Sequence, residues 1–574
     1  MRCYPSKEPL HPLLVPVLLL VSVLLVYYPA LLSGLHSIDD PGIISRYAAS
    51  PPLSQILLPG GSYYYRPLVE LSFWLDQRLW GLEPVVMHLE NVLLHLANAL
   101  LVYRIASRCL TKTGSDVLWL PLCPALLFAL HPLNVEAVAW IAGRTDPILA
   151  LFALSGCLFL LRWLEDARWR DALLAVFFFT LAALTKETAV ALLPVSMLLV
   201  LMWPAGPGSP SRSARVRIVV GTLLAAVLFA LSLLAFKQEL MALRRFLTAD
   251  AFTPLQAAIQ LATALGFYVW KAFFPFPLNF AITEVSPWHA LVALAGGVAL
   301  ALALKRRHFP ALFFACAALL IAPALLLAVK NISWTPYAER YLYLPTAFIS
   351  LGVGSMLPSP CQKGRLWIVP PLVVLLLFLG VASRQRAALW QDKIGFFQDA
   401  IVKSPRFGSL YNEIGVLLLQ DNSVDAAARA FTSAERLNRR PAMDSLIRFN
   451  IMSTILAKGD YIGARNYFTV LFPAKEKAPV AFLELLQKAD GLRLASLSAA
   501  ERAGLSRDMM ESFALLYRQT KDPFWLYREG QLARELKLYP QALELFRKAY
   551  QEAPADASYR LATRKQISGL EGMK

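Results

Sequence analysis

The sequence predicts an all-α protein: a polytopic membrane helix bundle over residues 1–382, then a soluble α-helical domain of tetratricopeptide-like repeats over 383–574. Three observations predict it. The chain of 574 residues is 57% hydrophobic, with a mean hydropathy of +0.50, too apolar for an ordinary soluble protein. Its apolar runs recur at bilayer length as far as residue 382. After that the pattern is polar and helical, with small and aromatic residues at repeat spacing.

The first run, 11–32, carries no Asp, Glu, Lys or Arg. It is long for a signal segment and no small-residue cleavage motif follows it, so it reads as a retained anchor. Further candidate spans lie near 86–106, 117–132, 146–163, 171–185, 188–203, 216–236, 288–304, 310–329, 341–357 and 366–382, about eleven in all. Residues 256–275 are apolar enough to span, but a span there flips the parity of the later loops; a re-entrant or interfacial helix is the preferred reading.

Basic clusters set the orientation. They are Arg104, Arg108 and Lys112; Arg162, Arg168 and Arg170; Arg212, Arg215 and Arg217; Lys305, Arg306 and Arg307; and Lys363 with Arg365. With these in the cytoplasm the amino terminus is inside. The loop 33–85, the 133–145 segment, Lys186–Glu187, the 330–340 loop and everything past 382 then lie outside. Loop basicity accounts for much of the +17 net charge, and no recognition motif argues for nucleic acid. The six cysteines, Cys3, Cys109, Cys123, Cys157, Cys316 and Cys361, lack CxxC spacing and predict neither a disulfide framework nor a zinc site.

In the tail, Gly530, Ala542, Phe546, Ala549 and Pro554 fit tetratricopeptide spacing. Gly415, Ala427, Phe431 and Ala434 repeat it, and Ala464 and Phe468 mark a weaker middle unit, giving about three repeats. Such repeats stack into a groove suited to peptides or proteins.

Ionisable residues gather at the ends of the apolar runs, where charge is costly and usually functional. HSIDDPG presents Asp39 and Asp40 just past the first run. Arg66, His88, Glu90, Glu136, Arg144, Asp146, Lys186, Glu187, Glu339 and Arg340 follow at later ends. The ordered series HSIDDPG, YYYRPLVELSFWLD, VMHLENVLLHLANALL, ALLFALHPLNVEAVAWIAGRTDPILALFAL, LAALTKETAVALLPVSMLL and YAERYLYLPTAFISLG resembles the membrane module of the transmembrane-and-TPR-containing O-mannosyltransferases and their bacterial relatives. Those belong to the C-type glycosyltransferase superfamily, with the protein O-mannosyltransferases as cousins. The resemblance covers about residues 30–357.

The resemblance implies a C-type glycosyltransferase fold and a polyprenyl- or dolichyl-phosphate sugar donor used on the non-cytoplasmic face. The family's paired catalytic acids are matched by Asp39 and Asp40. Its HP–E–GR–D segment is matched by His131, Pro132, Glu136, Gly143, Arg144 and Asp146. Its KE step is matched by Lys186 and Glu187, and its AER–LY–P segment by Glu339, Arg340, Tyr341, Tyr343 and Pro345.

The chemistry can also be argued from the residues. A sugar on a phosphate already has its leaving group, so the acceptor hydroxyl needs a base, which a carboxylate can supply. One base implies single displacement with inversion. The resemblance implies that Asp39, matching the first acid of the family's pair, is that base, with Asp40 orienting. The departing phosphate needs cations, for which Arg66, Arg144, Lys186 and Arg340 are available. Each residue also has a structural reading. Asp39–Asp40 could cap a helix, Arg144–Asp146 and Lys186–Glu187 could be internal ion pairs, and Glu339–Arg340 could be an interfacial anchor. His88, Glu90 and His95, near one helix face, could suggest a metal, but polar contacts in a bundle are preferred; neither a metal nor a cofactor is expected.

The acceptor is expected to be a protein Ser/Thr or a glycan, bound with help from the repeats. The expected membrane is a bacterial inner membrane with the repeats in the periplasm, with the endoplasmic reticulum as the alternative. Asn331-Ile332-Ser333 is a sequon in an outer loop. A non-enzymatic scaffold and a lipid-sugar flippase are the competing functions. The first leaves the charges at the span ends unexplained, and the second expects charges at both faces.

Overall fold

A computed structural model describes residues 13–58, 65–111, 119–204, 206, 208–218, 220–221, 253–330, 334–357 and 366–572. Lys112, the span 216–236 beyond residue 221, the sequon, Cys3, Cys361, Lys363 and Arg365 lie outside them. The described residues are helical apart from turns, loops and a single antiparallel bridge between Ile282 and Tyr337. The chain divides into two compact units, Met1–Ser404 and Pro405–Lys574.

Among the described residues of the first unit, five helices are long and apolar enough to cross a membrane: Leu14–Leu31, Pro84–Leu110, Ile141–Asp166, Phe309–Val329 and Val369–Leu389. Leu120–Ala129 and Pro132–Ala139 make a sixth only if the 46° bend between them lies within one span. The expected eleven therefore include shorter pieces. The 171–185 run forms Trp169–Ala183, of 15 residues. The 188–203 run is a 3-10 turn plus an 11-residue helix, Leu192–Met202. The 341–357 run is a 3-10 turn, Glu339–Leu342, plus the 14-residue helix Tyr343–Met356. Polar turns at Lys186 and Arg340 break these runs, because side chains there are held by partners elsewhere. Residues 256–275 form a helix, Pro254–Phe273, started by a Thr253–Gln256 capping box. Gly266 lets it approach the helix His289–Lys305 so closely that a Cβ would meet the His289 carbonyl.

We label the elements that build the site α1 (Leu14–Leu31), α2 (Asp40–Ala48), α3 (Pro67–Trp80), α4 (Pro84–Thr111), α5 (Trp119–Ala129), α6 (Val135–Ala139), α7 (Thr145–Asp166), α8 (Tyr343–Met356), α9 (Val369–Leu389) and α10 (Lys393–Lys403). On α1, Val15, Leu19, Val23, Val26, Tyr27 and Ala30 are buried, whereas Val17, Leu18, Val21, Leu25 and Tyr28 are exposed. That is one helix stripe turned to protein and the other to an apolar surround.

Buried polar side chains join the helices. His95 of α4 accepts from the Tyr343 hydroxyl (2.7 Å) and donates to the Ala129 carbonyl (3.1 Å). Asn98 donates to the Pro147 carbonyl (2.9 Å), and Asn134 accepts from the Thr346 hydroxyl (3.0 Å). Satisfied polar groups of this kind fix one packing register.

The first unit also runs past the expected boundary at 382. The apolar run ends there but α9 continues to Leu389, with Arg384 donating to the Leu25 carbonyl (2.6 Å) and Arg386 paired to Asp399 of α10 (3.0 Å). Charge at the end of a span is thus absorbed by local partners, and the unit closes at Ser404.

The second unit contains four helix hairpins between Gly408 and Glu552, followed by Arg560–Glu571. Three hairpins carry the expected spacing. Gly415 lies against the Phe431 ring and Gly530 against Phe546, so a Cβ at either glycine would strike an aromatic ring. Ala427, Phe431, Ala434, Ala464, Phe468, Ala542, Phe546 and Ala549 are all buried. The remaining hairpin, Val480–Leu494 with the 22-residue Ala499–Thr520, lacks the signature. It was invisible to the spacing because its second helix is too long for the repeat.

Candidate functional site

Two consecutive carboxylates have opposite environments. Asp40, at the start of α2, is 1% exposed. One of its oxygens accepts from the His36 backbone N–H (2.7 Å) and the other from that of Ala142 (3.3 Å). Burial pushes its pKa up to about 6, the two backbone donors opposing. Asp39 occupies the N-cap position without a capping bond, and it is solvent-exposed. Protein around it raises its pKa through desolvation, while the nearby Arg340 guanidinium acts in the other direction. Asp40 is thus committed to the backbone, while Asp39 beside it is exposed.

Arg340 is held by Glu136 of α6. Its Nη1 pairs with Glu136 Oε1, and its backbone N–H donates to Oε2 (3.1 Å). The Trp140 and Tyr341 rings face its guanidinium at 5.5 and 5.1 Å. Glu339, its neighbour in the chain, does not hold it. Glu339 turns away and accepts from Lys271 Nζ (3.0 Å) and the Asn279 N–H (2.7 Å). Adjacent residues of the 3-10 turn thus point to different partners.

Lys186 pairs with Asp146 of α7 at 2.6 Å, both groups buried. Its Nζ also lies 5.7 Å from the Tyr341 ring that faces Arg340. Two cations thus share one aromatic ring. Neither Lys186–Glu187 nor Arg144–Asp146 forms as an internal pair. Glu187 instead receives Arg66 through two bonds, Nε to Oε2 (3.0 Å) and Nη2 to Oε1 (2.5 Å).

Arg144 does not fit the donor role expected of it. Its side chain is 1% exposed, with Nη1 on Asp76 (2.6 Å) and near Glu90 (3.3 Å). Nε donates to Asn91 Oδ1 (3.2 Å) and Nη2 to the Met87 carbonyl (3.1 Å), while Phe73 covers the guanidinium at 4.4 Å. Every nitrogen is occupied, so no edge remains for a phosphate.

His131 accepts from the Leu133 N–H (3.4 Å) and donates to the Ala272 carbonyl (3.2 Å), joining the α5–α6 bend to the 254–273 helix. Tyr343 belongs to the His95–Asn98 network. His88 packs beneath the Ser33–Gly34 turn. Among the described residues no three His, Cys, Asp or Glu side chains gather as a metal site.

Sequence reasoning missed Asp76, Asn91, Trp140 and Lys271. Lys271 had a readable signal, as a lone cation inside an apolar run. Trp140 had none.

The fold and this site define a class: a polytopic helical integral membrane protein with an acid pair and cations gathered at the ends of its apolar helices. Residues 66–235 match the family model described as dolichyl-phosphate-mannose-protein mannosyltransferase. The chain is similar to Protein O-mannosyl-transferase Tmtc1 of Drosophila melanogaster, 34% identical over 151 residues, 26% of this chain and 17% of that protein. It is also similar to Protein O-mannosyl-transferase Tmtc2 of the same fly, 36% identical over 170 residues, 28% and 17% of the two chains. The mouse Protein O-mannosyl-transferase TMTC1 matches at 35% over 157 residues, 25% and 16%. The chain is O-mannosyltransferase-like, while the similar stretch spans about a sixth of those relatives' length. The family match contains Arg66, Arg144 and Lys186 but neither Asp39–Asp40 nor Arg340; the latter meet it through Ala142 and Glu136.

Proposed function

We propose that this protein is a membrane glycosyltransferase that moves a sugar, with mannose first to test, from a polyprenyl or dolichyl phosphate to a Ser or Thr hydroxyl of a protein. The observation that carries the reading is the solvent-exposed Asp39 carboxylate within electrostatic reach of Arg340, while Asp40 beside it is buried and spent on backbone bonds.

Asp39 takes the proton of the acceptor hydroxyl as its oxygen attacks the anomeric carbon. The bond from that carbon to the phosphate oxygen breaks, and its electron pair leaves with the lipid phosphate. The anomeric configuration inverts, because there is one displacement. Arg340 and Lys186, both beside the Tyr341 ring, meet the charge growing on the leaving phosphate. Arg66, already forked onto Glu187, orders the loop beside them. Glu136 and Asp146 hold the two cations in place.

The basic loops favour a non-cytoplasmic face for this chemistry, with the second unit on the same side handling the acceptor. A reporter fused after Ser404 that is active only in the cytoplasm overturns that orientation. The membrane we favour is a bacterial inner membrane; the animal relatives keep the endoplasmic reticulum as the alternative.

The chemical test is transfer of labelled mannose from its lipid phosphate to a Ser/Thr peptide by purified protein. Asp39→Asn keeps the shape of the side chain but cannot accept the proton, so the rate is expected to fall about a hundred- to ten-thousandfold. Full activity in well-folded Asp39→Asn protein refutes the base assignment.

A further inference from the structure

The segment after the last apolar run does more than join the two units. Ser383 of α9 donates to the Leu130 carbonyl (2.8 Å), and Arg386 pairs with Asp399, which folds α10 back onto the end of α9. Asp392 caps α10 by accepting from the Gly395 N–H (2.9 Å). This fold-back surrounds the His36 imidazole with three rings: Phe396 at 4.7 Å, Trp390 at 5.1 Å and Phe397 at 5.6 Å. Phe280 stands at 6.5 Å.

His36 is 3% exposed and both ring nitrogens are buried without a hydrogen-bond partner among the described residues. Burial, with the Lys393 ammonium nearby, pulls its pKa down to about 3. The imidazole is therefore neutral and serves here as an aromatic spacer. Its backbone N–H is one of the two donors on Asp40. Trp390 also stacks on Trp140, centroids 6.2 Å apart, and Trp140 stands two residues before Ala142, whose N–H is the other donor on Asp40. Both donors thus sit in short segments pinned by the same indole.

The far end of the segment reaches the other half of the site. Asn279 donates to Ser404 Oγ (2.9 Å), Ser404 donates to the Ala281 carbonyl (2.5 Å), and the Asn279 N–H is on Glu339, the residue before Arg340.

We infer that residues 390–404 form a clamp that positions the reacting groups, with Trp390 as the positioning residue that keeps Asp40 fixed and so aims Asp39. The inference rests on Asp39 being the base. A base displaced by about an ångström loses much of its rate, of order a hundredfold, even when its chemistry is intact.

The test pairs hydrogen exchange with kinetics on the full-length protein in detergent. Trp390→Ala is expected to speed amide exchange across residues 34–48 and leave residues 86–106 at the wild-type rate. It should lower kcat about ten- to hundredfold with little change in the KM for the lipid donor. Trp390→Phe, which keeps a ring in the box, should restore most of the rate, and His36→Phe should keep it. Unchanged exchange across 34–48 in Trp390→Ala overturns the clamp. Faster exchange everywhere, or no rescue by Phe, also overturns it, because the indole is then holding the whole bundle. The base reading fails separately, if Asp39→Asn transfers sugar normally, and the exchange result stands whichever way that experiment falls.

Discussion

Arg144 and Arg340 belong to the same motif series, and each pairs with a carboxylate from another helix, yet they end in opposite states. Arg144 has all three nitrogens occupied, a ring across its face and 1% of its side chain exposed. Arg340 keeps 19% of its side chain exposed. One acid grips it, two rings flank it, and Asp39 lies within its field. A cation near membrane depth can therefore have every donor taken, as Arg144 does, or keep part of its side chain open, as Arg340 does. The number of its donors already taken distinguishes the two, and sequence position does not.

The largest effect should come from removing Arg144. Arg144→Ala leaves Asp76, 3% exposed on its side chain, as a buried uncompensated charge, which costs about 3–5 kcal/mol. Folded yield and detergent-phase Tm should collapse. Arg144→Met with Asp76→Leu removes both charges and should recover most of that stability. If the double variant also transfers sugar at the wild-type rate, Arg144 has no part in donor binding. Arg340→Ala should act on rate where Arg144→Ala acts on stability alone. Losing Arg340 leaves Glu136, 1% exposed on its side chain, without its partner, so Tm should fall as well. Adding Glu136→Gln should recover Tm but not transfer, which falls about a hundredfold, the usual effect of losing one group that stabilises a developing anion. Rate against donor concentration at saturating acceptor reads this. An unchanged curve removes Arg340 from the site and leaves Lys186 as the better candidate.

This contrast explains what the sequence made legible. Helical class, repeat units and the list of charged residues followed from hydropathy and spacing, because burial of apolar faces and small-residue packing leave periodic marks. The pairing of those charges did not. Arg144 meets Asp76 and Lys186 meets Asp146 across 68 and 40 residues of chain, distances over which sequence carries no local signal. Short pieces such as the 14-residue α8 looked like part of a longer span because Tyr341 and Leu342, at the end of the Glu339–Leu342 turn, extend the apolar run. The Arg340 N–H, donating to Glu136, belongs to the 3-10 turn that precedes that helix. The clamp was hidden by the fall in hydropathy after 382, which looked like the start of a new domain.

A smaller effect should appear in the pH profile. Desolvation raises the Asp39 pKa, and Arg340 opposes that rise. Transfer needs the carboxylate, so the rate should fall as pH drops through this raised value, above the ordinary aspartate value of about 4. Arg340→Gln removes the opposing charge, so the acid limb should move to higher pH. Arg340→Lys keeps the charge and should leave the limb in place even though the fork is lost. A limb that does not move in Arg340→Gln means that the two groups are not coupled.

The smallest effect should come from Glu339, and it discriminates between the two acids near Arg340. In Glu339→Gln the side-chain oxygen can still accept from the Asn279 N–H, now 2.7 Å away. Lys271 loses its counter-charge, yet its ammonium keeps the Pro277 carbonyl. Transfer should therefore drop only a few-fold, with a modest fall in Tm, since one buried hydrogen bond is retained. Glu136→Gln should do more. It takes the charge from the partner that holds both the Arg340 side chain and its backbone N–H, so its kinetic defect should approach that of Arg340→Ala. The comparison requires only relative rates at one donor concentration. If Glu339→Gln proves the more damaging of the two, Arg340 is being positioned by the Asn279–Glu339 turn rather than by Glu136. The 277–281 segment would then join the site as its main support.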